Sequence, residues 1–111
     1  MIVFKSINKL NIKIKKTNNL GFVPTMGSLH KGHLELIKRC KRSCQKTLVS
    51  IYVNPKQFNN LKDFNSYPRD ISRDLKILKK NKVDFVLIPK SSEVYKDKKL
   101  FKFSLTKEDK I

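Results

Sequence analysis

With 111 residues the chain holds one small domain with a modest core, which excludes a two-domain enzyme within this stretch. Lys and Arg number 26 against 9 acidic residues, a formal net charge of +17 whose field attracts polyanions. The cations are mostly Lys and spread along the chain, with Arg only at Arg39, Arg42, Arg69 and Arg73, and the aromatic residues sit in apolar runs, so composition argues against a nucleic-acid reader.

Drift in an A/T-rich coding sequence accounts for the abundant Lys, Asn and Ile and is the favoured explanation of the charge. No run approaches the roughly 18 apolar residues of a membrane-spanning helix. The opening MIVFKSINKL lacks a signal-peptide pattern, so the cytoplasm is the default location. Cys40 and Cys44 are four apart on one helix face and read as buried or half-buried thiols, not as a disulfide framework or a zinc site.

In chain order, Ile2-Val3-Phe4 reads as a short edge strand, and Ser6 as the cap of a helix carrying Ile7, Leu10 and Ile14 on one face. A polar link over residues 15–19 leads to Gly21-Phe22-Val23, a buried strand that Pro24 is expected to end. Thr25 to Ser28 form a turn-prone loop. A helix follows from about His33 to Lys46, with Leu34, Ile37, Cys40 and Cys44 as its apolar face. Thr47 to Val53 is the clearest strand, rich in β-branched residues and stopped by Asn54-Pro55. Asp70 or Ser72 starts a helix with Ile71, Leu75 and Leu78 on one face, and Asp84 to Ile88 is a buried strand ended by Pro89. Ser91 or Ser92 opens a brief helical turn, Phe101 to Leu105 alternates as a half-exposed strand, and Thr106 to Ile111 is a charged tail.

Strands alternating with helices imply right-handed crossovers and a parallel α/β sheet. Three strands end alike, at Val23-Pro24, Val53-Asn54-Pro55 and Ile88-Pro89, so the residues just beyond them share one edge of the sheet, where ligands bind. All three glycines and both histidines of the chain lie within Leu20 to Lys38. His30 and His33 are one helical turn apart at the start of a helix, whose free N–H groups and dipole suit an anion. Gly32 between them leaves room for close approach to the backbone. Two imidazoles in that setting suit a phosphate chain, each donating to an oxygen and each titrating near neutrality. A metal site is not indicated, because no third ligand accompanies the pair. Past the second strand, Gln57 can donate and accept, which suits a small hydroxy acid. Asn54 does the same or caps the turn, and Arg69 and Arg73 face an anion or solvent, with solvent slightly preferred for Arg73.

The blocks FVPTMGSLHKGHLELI, VSIYVNPKQF at 49–58, DFNSYPR at 63–69, and VDFVLIP with SEVY at 83–95 occur in the order seen in one family. Over about residues 20–95 the chain resembles pantothenate synthetase (pantoate–β-alanine ligase), of the nucleotidyltransferase superfamily with the His-x-Gly-His signature. The resemblance implies a Rossmann-like parallel sheet with flanking helices, incomplete here. It implies ATP binding by Pro24, Thr25, Met26, Gly27, Ser28, Leu29, His30, Lys31, Gly32 and His33, with His33 as catalytic proton donor or charge stabiliser. Gln57 and Asn54 would contact pantoate and β-alanine. ATP and Mg²⁺ are the implied co-substrate and ion, and a homodimer is left open.

Ser28 and Lys31 fall at variable positions, and Lys96 stands where the family often has proline. Family members continue with a second Lys-Asp phosphate segment, a Lys/Ser/Arg loop and a small covering domain. The expectation is therefore that residues 1–111 are the N-terminal nucleotide-binding domain of such a ligase, with weak ATP binding at most and little turnover alone. A small basic nucleic-acid binder, a related nucleotidyltransferase with another acceptor, a non-functional fragment and a half-enzyme completed by a second polypeptide are the alternatives.

Overall fold

The structure, a computed structural model, describes residues 1–96. The strand expected over 101–105 and the tail after it lie outside the described residues. The elements are β1 (Ile2–Phe4), α1 (Ile7–Ile14), β2 (Leu20–Thr25), α2 (Lys31–Ser43), β3 (Lys46–Ile51), α3 (Leu61–Ser66), α4 (Ile71–Lys80), β4 (Phe85–Leu87) and α5 (Ser91–Lys96), with a 3₁₀ turn over Pro55–Gln57. Every strand pairing is parallel, and the sheet order is β1-β4-β3-β2.

The period-two rule distributes side chains to the two faces of this sheet. Leu20 and Phe22 of β2, Leu48 of β3, and Phe85 and Leu87 of β4 pack with Ile7 and Leu10 of α1. Val23, Val49, Ile51 and Val86 point the other way and pack with Ile37 and Cys40 of α2 and Leu78 of α4. The result is three layers, α1 on one face and α2 with α4 on the other, which explains why the central strands read as continuous apolar runs. Each fully buried aliphatic side chain stabilises the fold by about 1.5–3 kcal/mol.

The helix starts follow capping chemistry. Ser6 Oγ accepts from the Lys9 amide at 3.3 Å, and Asp70 Oδ1 accepts from the Arg73 amide at 3.1 Å. Gly21 is required by α2 packing on β2: a Cβ there would land on Cys40 Sγ and lie 2.7 Å from Cys44 Sγ.

Three expectations are corrected. Pro24 does not end its strand, because β2 runs to Thr25. Among the described strands β2 is an edge, where proline's missing donor costs no ladder bond. The helix expected from His33 to Lys46 is shifted toward the N-terminus: it starts at Lys31 and ends at Ser43, and Lys46 already belongs to β3. Finally, the 3₁₀ turn and α3 were unanticipated, since six residues with only Leu61 and Phe64 apolar carry no readable helical period. No helix among the described residues is long and apolar enough to cross a membrane.

Candidate functional site

The parallel pairing brings the carboxyl ends of β2, β3 and β4 to one edge, as the shared strand endings require. The loop leaving β2 is built from the inside out. Thr25 is buried; its hydroxyl donates to the Ser50 carbonyl at 2.9 Å and accepts from the Gly27 amide at 3.1 Å. Gly27 has φ +79° and Ser28 φ +50°, so two successive residues are left-handed. Glycine takes that conformation freely, whereas serine needs compensation. Ser28 receives it from both ends: its amide donates to Asp74 Oδ2 at 2.9 Å and its hydroxyl to the Pro68 carbonyl at 2.9 Å.

After this turn His30 becomes the N-cap of α2, with His33 at the third helical position. His30 Nδ1 accepts from the Gly32 amide at 3.0 Å, and His33 Nδ1 accepts from the His30 amide at 3.1 Å, a reciprocal capping box made of two imidazoles. The ring centroids are 4.1 Å apart with a 46° tilt. A neutral ring accepting at Nδ1 carries its proton on Nε2, so both histidines present an Nε2–H donor. Burial, then the neighbouring His30, hold the His33 pKa below the ordinary histidine value, with Asp74 opposing. His33 is therefore a neutral donor at pH 7.

Within the run from Pro24 to His33 several groups are already engaged inside the chain. The amide at Gly32 is not free for an anion, because the His30 ring occupies it. Gly32 leaves room for that same ring: a Cβ would lie 2.9 Å from His30 Cε1. Leu29 is a core residue, 1% exposed, with its amide donating to Asp74 Oδ1 at 3.0 Å and its carbonyl accepting from Arg73 at 3.1 Å. Lys31 and His30 are exposed at the helix start.

Pro24, Thr25, Met26 and His33 do converge with Asn54 and Gln57, lining a cleft of about 330 Å³ with Ser50 and Tyr52. Asn54 Oδ1 accepts from the Lys56 amide at 3.0 Å, so it caps the 3₁₀ turn and also faces the cleft. A second, more apolar cleft of about 360 Å³ adjoins it across Met26 and Tyr52. Arg69 is exposed and borders the second cleft; it donates to the carbonyls of Phe64 and Tyr67, each at 2.8 Å, and stacks 4.9 Å over the Phe64 ring. Arg73, for which solvent was slightly preferred, is exposed over 53% of its side chain and is also tied to Leu29 at 3.1 Å and to Asp74 at 3.4 Å.

The sequence profile of the pantoate-beta-alanine ligase family matches residues 2–110. The chain belongs to that family. Among curated relatives, the pantothenate synthetase of Pseudothermotoga lettingae is 47% identical over 98 residues, which cover 86% of this chain and 35% of that protein. Solved structures are similar as well. The enzyme of Thermus thermophilus superimposes with a TM-score of 0.79 at 38% identity, covering 85% of this chain and 34% of that one. The pantoate-beta-alanine ligase of Francisella tularensis, solved with beta-gamma ATP and beta-alanine, gives 0.82 at 39% identity over 87% of this chain and 38% of its own. The chain spans about a third of the length of the curated relatives it matches.

Within this member of the family the residue that sequence reasoning passed over is Asp74. It is 1% exposed, yet it lies on the same apolar stripe of α4 as Leu78. An acid on that stripe, four residues before Leu78, was the available signal. Tyr52 was also missed as a site residue; it lines both clefts, and its hydroxyl donates to Ser91 Oγ at 3.2 Å.

Proposed function

We propose that residues 1–111 supply the nucleotide-binding part of a ligase that joins pantoate to β-alanine in two steps. ATP and pantoate give pantoyl-adenylate and pyrophosphate; the β-alanine amine then attacks the activated carbonyl, giving pantothenate and AMP. The observation that carries this reading is the single cleft in which His33 and the loop residues Pro24, Thr25 and Met26 meet Asn54 and Gln57. The ATP analogue and β-alanine in the Francisella tularensis relative support it.

In this reading Met26 to His33 form the nucleotide side. The two Nε2–H groups donate to phosphoryl oxygens, whose negative charge grows as the α-phosphorus is attacked. A preorganised donor of that kind is typically worth about 3–4 kcal/mol. The neutral state of His33 suits a donor that retains its proton, more than an acid that gives it up. Gln57 and Asn54 face the same cleft and offer amide donors and acceptors to the carboxylate and hydroxyls of pantoate.

Mg²⁺ does not fit as a protein-held ion. Among the described residues no three His, Cys, Asp or Glu side chains come together, and Asp74 is engaged by two amides and Arg73.

The test is a pair of NMR titrations of the chain. ATP is expected to shift the His30 and His33 ring resonances saturably, and pantoate the side-chain amides of Asn54 and Gln57. His33→Ala is expected to weaken the ATP response while leaving the fold intact. Ring resonances indifferent to ATP, or amides indifferent to pantoate, refute the reading.

A further inference from the structure

We propose that Asp74 is a positioning residue for the nucleotide site: its buried carboxylate holds the backbone of Gly27–Leu29 in the one conformation that sets the start of α2, with the His30 cap, so that the His33 imidazole lines the cleft. The inference rests on the functional reading above and assigns a role to a residue 41 positions from His33 in the chain. A carboxylate that is 1% exposed carries a large desolvation cost and persists only when its lone pairs are satisfied. Here each oxygen takes one loop amide, Oδ2 from Ser28 at 2.9 Å and Oδ1 from Leu29 at 3.0 Å, while Arg73 supplies the countercharge at 3.4 Å. Two adjacent N–H groups point at one carboxylate because Gly27 and Ser28 are both left-handed.

The fit is reciprocal. A Cβ at Gly27 would lie 3.0 Å from Asp74 Oδ2, so the absent side chain at 27 is what admits the carboxylate. Arg73 adds a second tether, since its Nη2 donates to the Leu29 carbonyl while Nη1 reaches Asp74. The loop is thus pinned at residues 28 and 29, directly before the His30 cap. Asp74 does not line the cleft of His33 and Gln57; it borders the adjoining one. Its influence on the histidines passes through the loop and through its charge, which raises the pKa of His33.

Asp74→Asn is nearly isosteric and keeps one acceptor for two amides, so it separates packing from positioning. The expected result is an intact fold, with slow hydrogen exchange kept at the ladder residues Val23 and Val49. Exchange protection is lost at Ser28 or Leu29, and the His33 titration midpoint moves to lower pH. ATP binding weakens by roughly tenfold, the factor that accompanies one lost charge-assisted hydrogen bond. An Asn variant with wild-type loop protection and wild-type ATP affinity overturns the proposal. If wild-type chain does not bind ATP, the functional reading fails by itself. Loop protection and the His33 midpoint then decide the role of Asp74: a change in both upholds the loop clamp, and no change overturns it. Should Asp74→Asn not fold, through-hydrogen-bond couplings from the Ser28 and Leu29 amide nitrogens to Asp74 Cγ are measurable in the wild type. Their presence supports the clamp, and their absence overturns it.

Discussion

Gly32→Ala separates the stability of α2 from the geometry of its histidines. The new Cβ would lie 2.9 Å from His30 Cε1 and 3.2 Å from His30 Nδ1, too close for the ring to stay. The obstacle is the end of a rotatable side chain, so the ring swings out and the Gly32 N–H to His30 Nδ1 bond breaks. Losing an N-cap bond costs about 0.5–2 kcal/mol. Replacing glycine by alanine at a helical position returns about 0.5–1 kcal/mol. The two terms nearly cancel, and the net change stays within about 1.5 kcal/mol, a melting shift of less than about 12 °C for a domain of this size. The site bears the full effect, because the 4.1 Å contact between the rings is lost. His30 lowers the His33 pKa, so its departure moves the His33 midpoint upward, toward the ordinary value. The assay is a thermal melt by circular dichroism beside an NMR titration of the His33 ring and an ATP titration. A large loss of stability, or an unchanged His33 midpoint with unchanged ATP response, refutes the reasoning.

Two further outcomes are expected. Gly21→Ala drives a methyl group into Cys40 Sγ, with Cys44 Sγ 2.7 Å away, in the packed layer between β2 and α2. Overpacking of this kind costs about 1–3 kcal/mol, and the added change Cys40→Ala is expected to recover part of it; urea denaturation showing no such recovery contradicts the packing account. The histidine pair also sets a pH dependence. The folded His33 has a lowered pKa, so as pH falls below about 6.5 the unfolded chain takes up a proton first. Stability is full above that value and declines through the window down to the folded pKa, below which this contribution changes no further. The decline is small for a half-buried ring, and His33→Asn abolishes it. Denaturation midpoints that hold steady or rise from pH 7 to pH 5.5 in the wild type count against it.

The parts of the fold that were legible in the sequence rest on short-range physics. Ser6 and Asp70 announce helix starts because a cap bonds an amide three residues away. Thr47 to Val53 reads as a strand because β-branched residues suit a pleated, two-sided burial, and β3 forms over Lys46–Ile51, two residues short of the expected end. The repeated strand endings implied a common edge, and the parallel ladder brings them there. The convergence of His33, Met26, Asn54 and Gln57 followed from that topology. Boundaries were less legible: Pro24 stays in β2 because that strand is an edge among the described strands, and strand order is not written into any local pattern.

Composition, period and the clustering of glycine and histidine were enough to single out one edge of a parallel sheet, the edge proposed above for a phosphate chain. They were not enough to say what each residue does there. Asp74 satisfies amides 45 and 46 residues away, Arg73 reaches back to Leu29, and Leu29 itself turns into the core. The same holds for Gly32, whose missing side chain makes room for a neighbouring imidazole. Those assignments depend on which surfaces meet when α4 packs against the loop after β2. A contact between distant segments costs chain entropy that the whole core offsets, so no single stretch of sequence carries it.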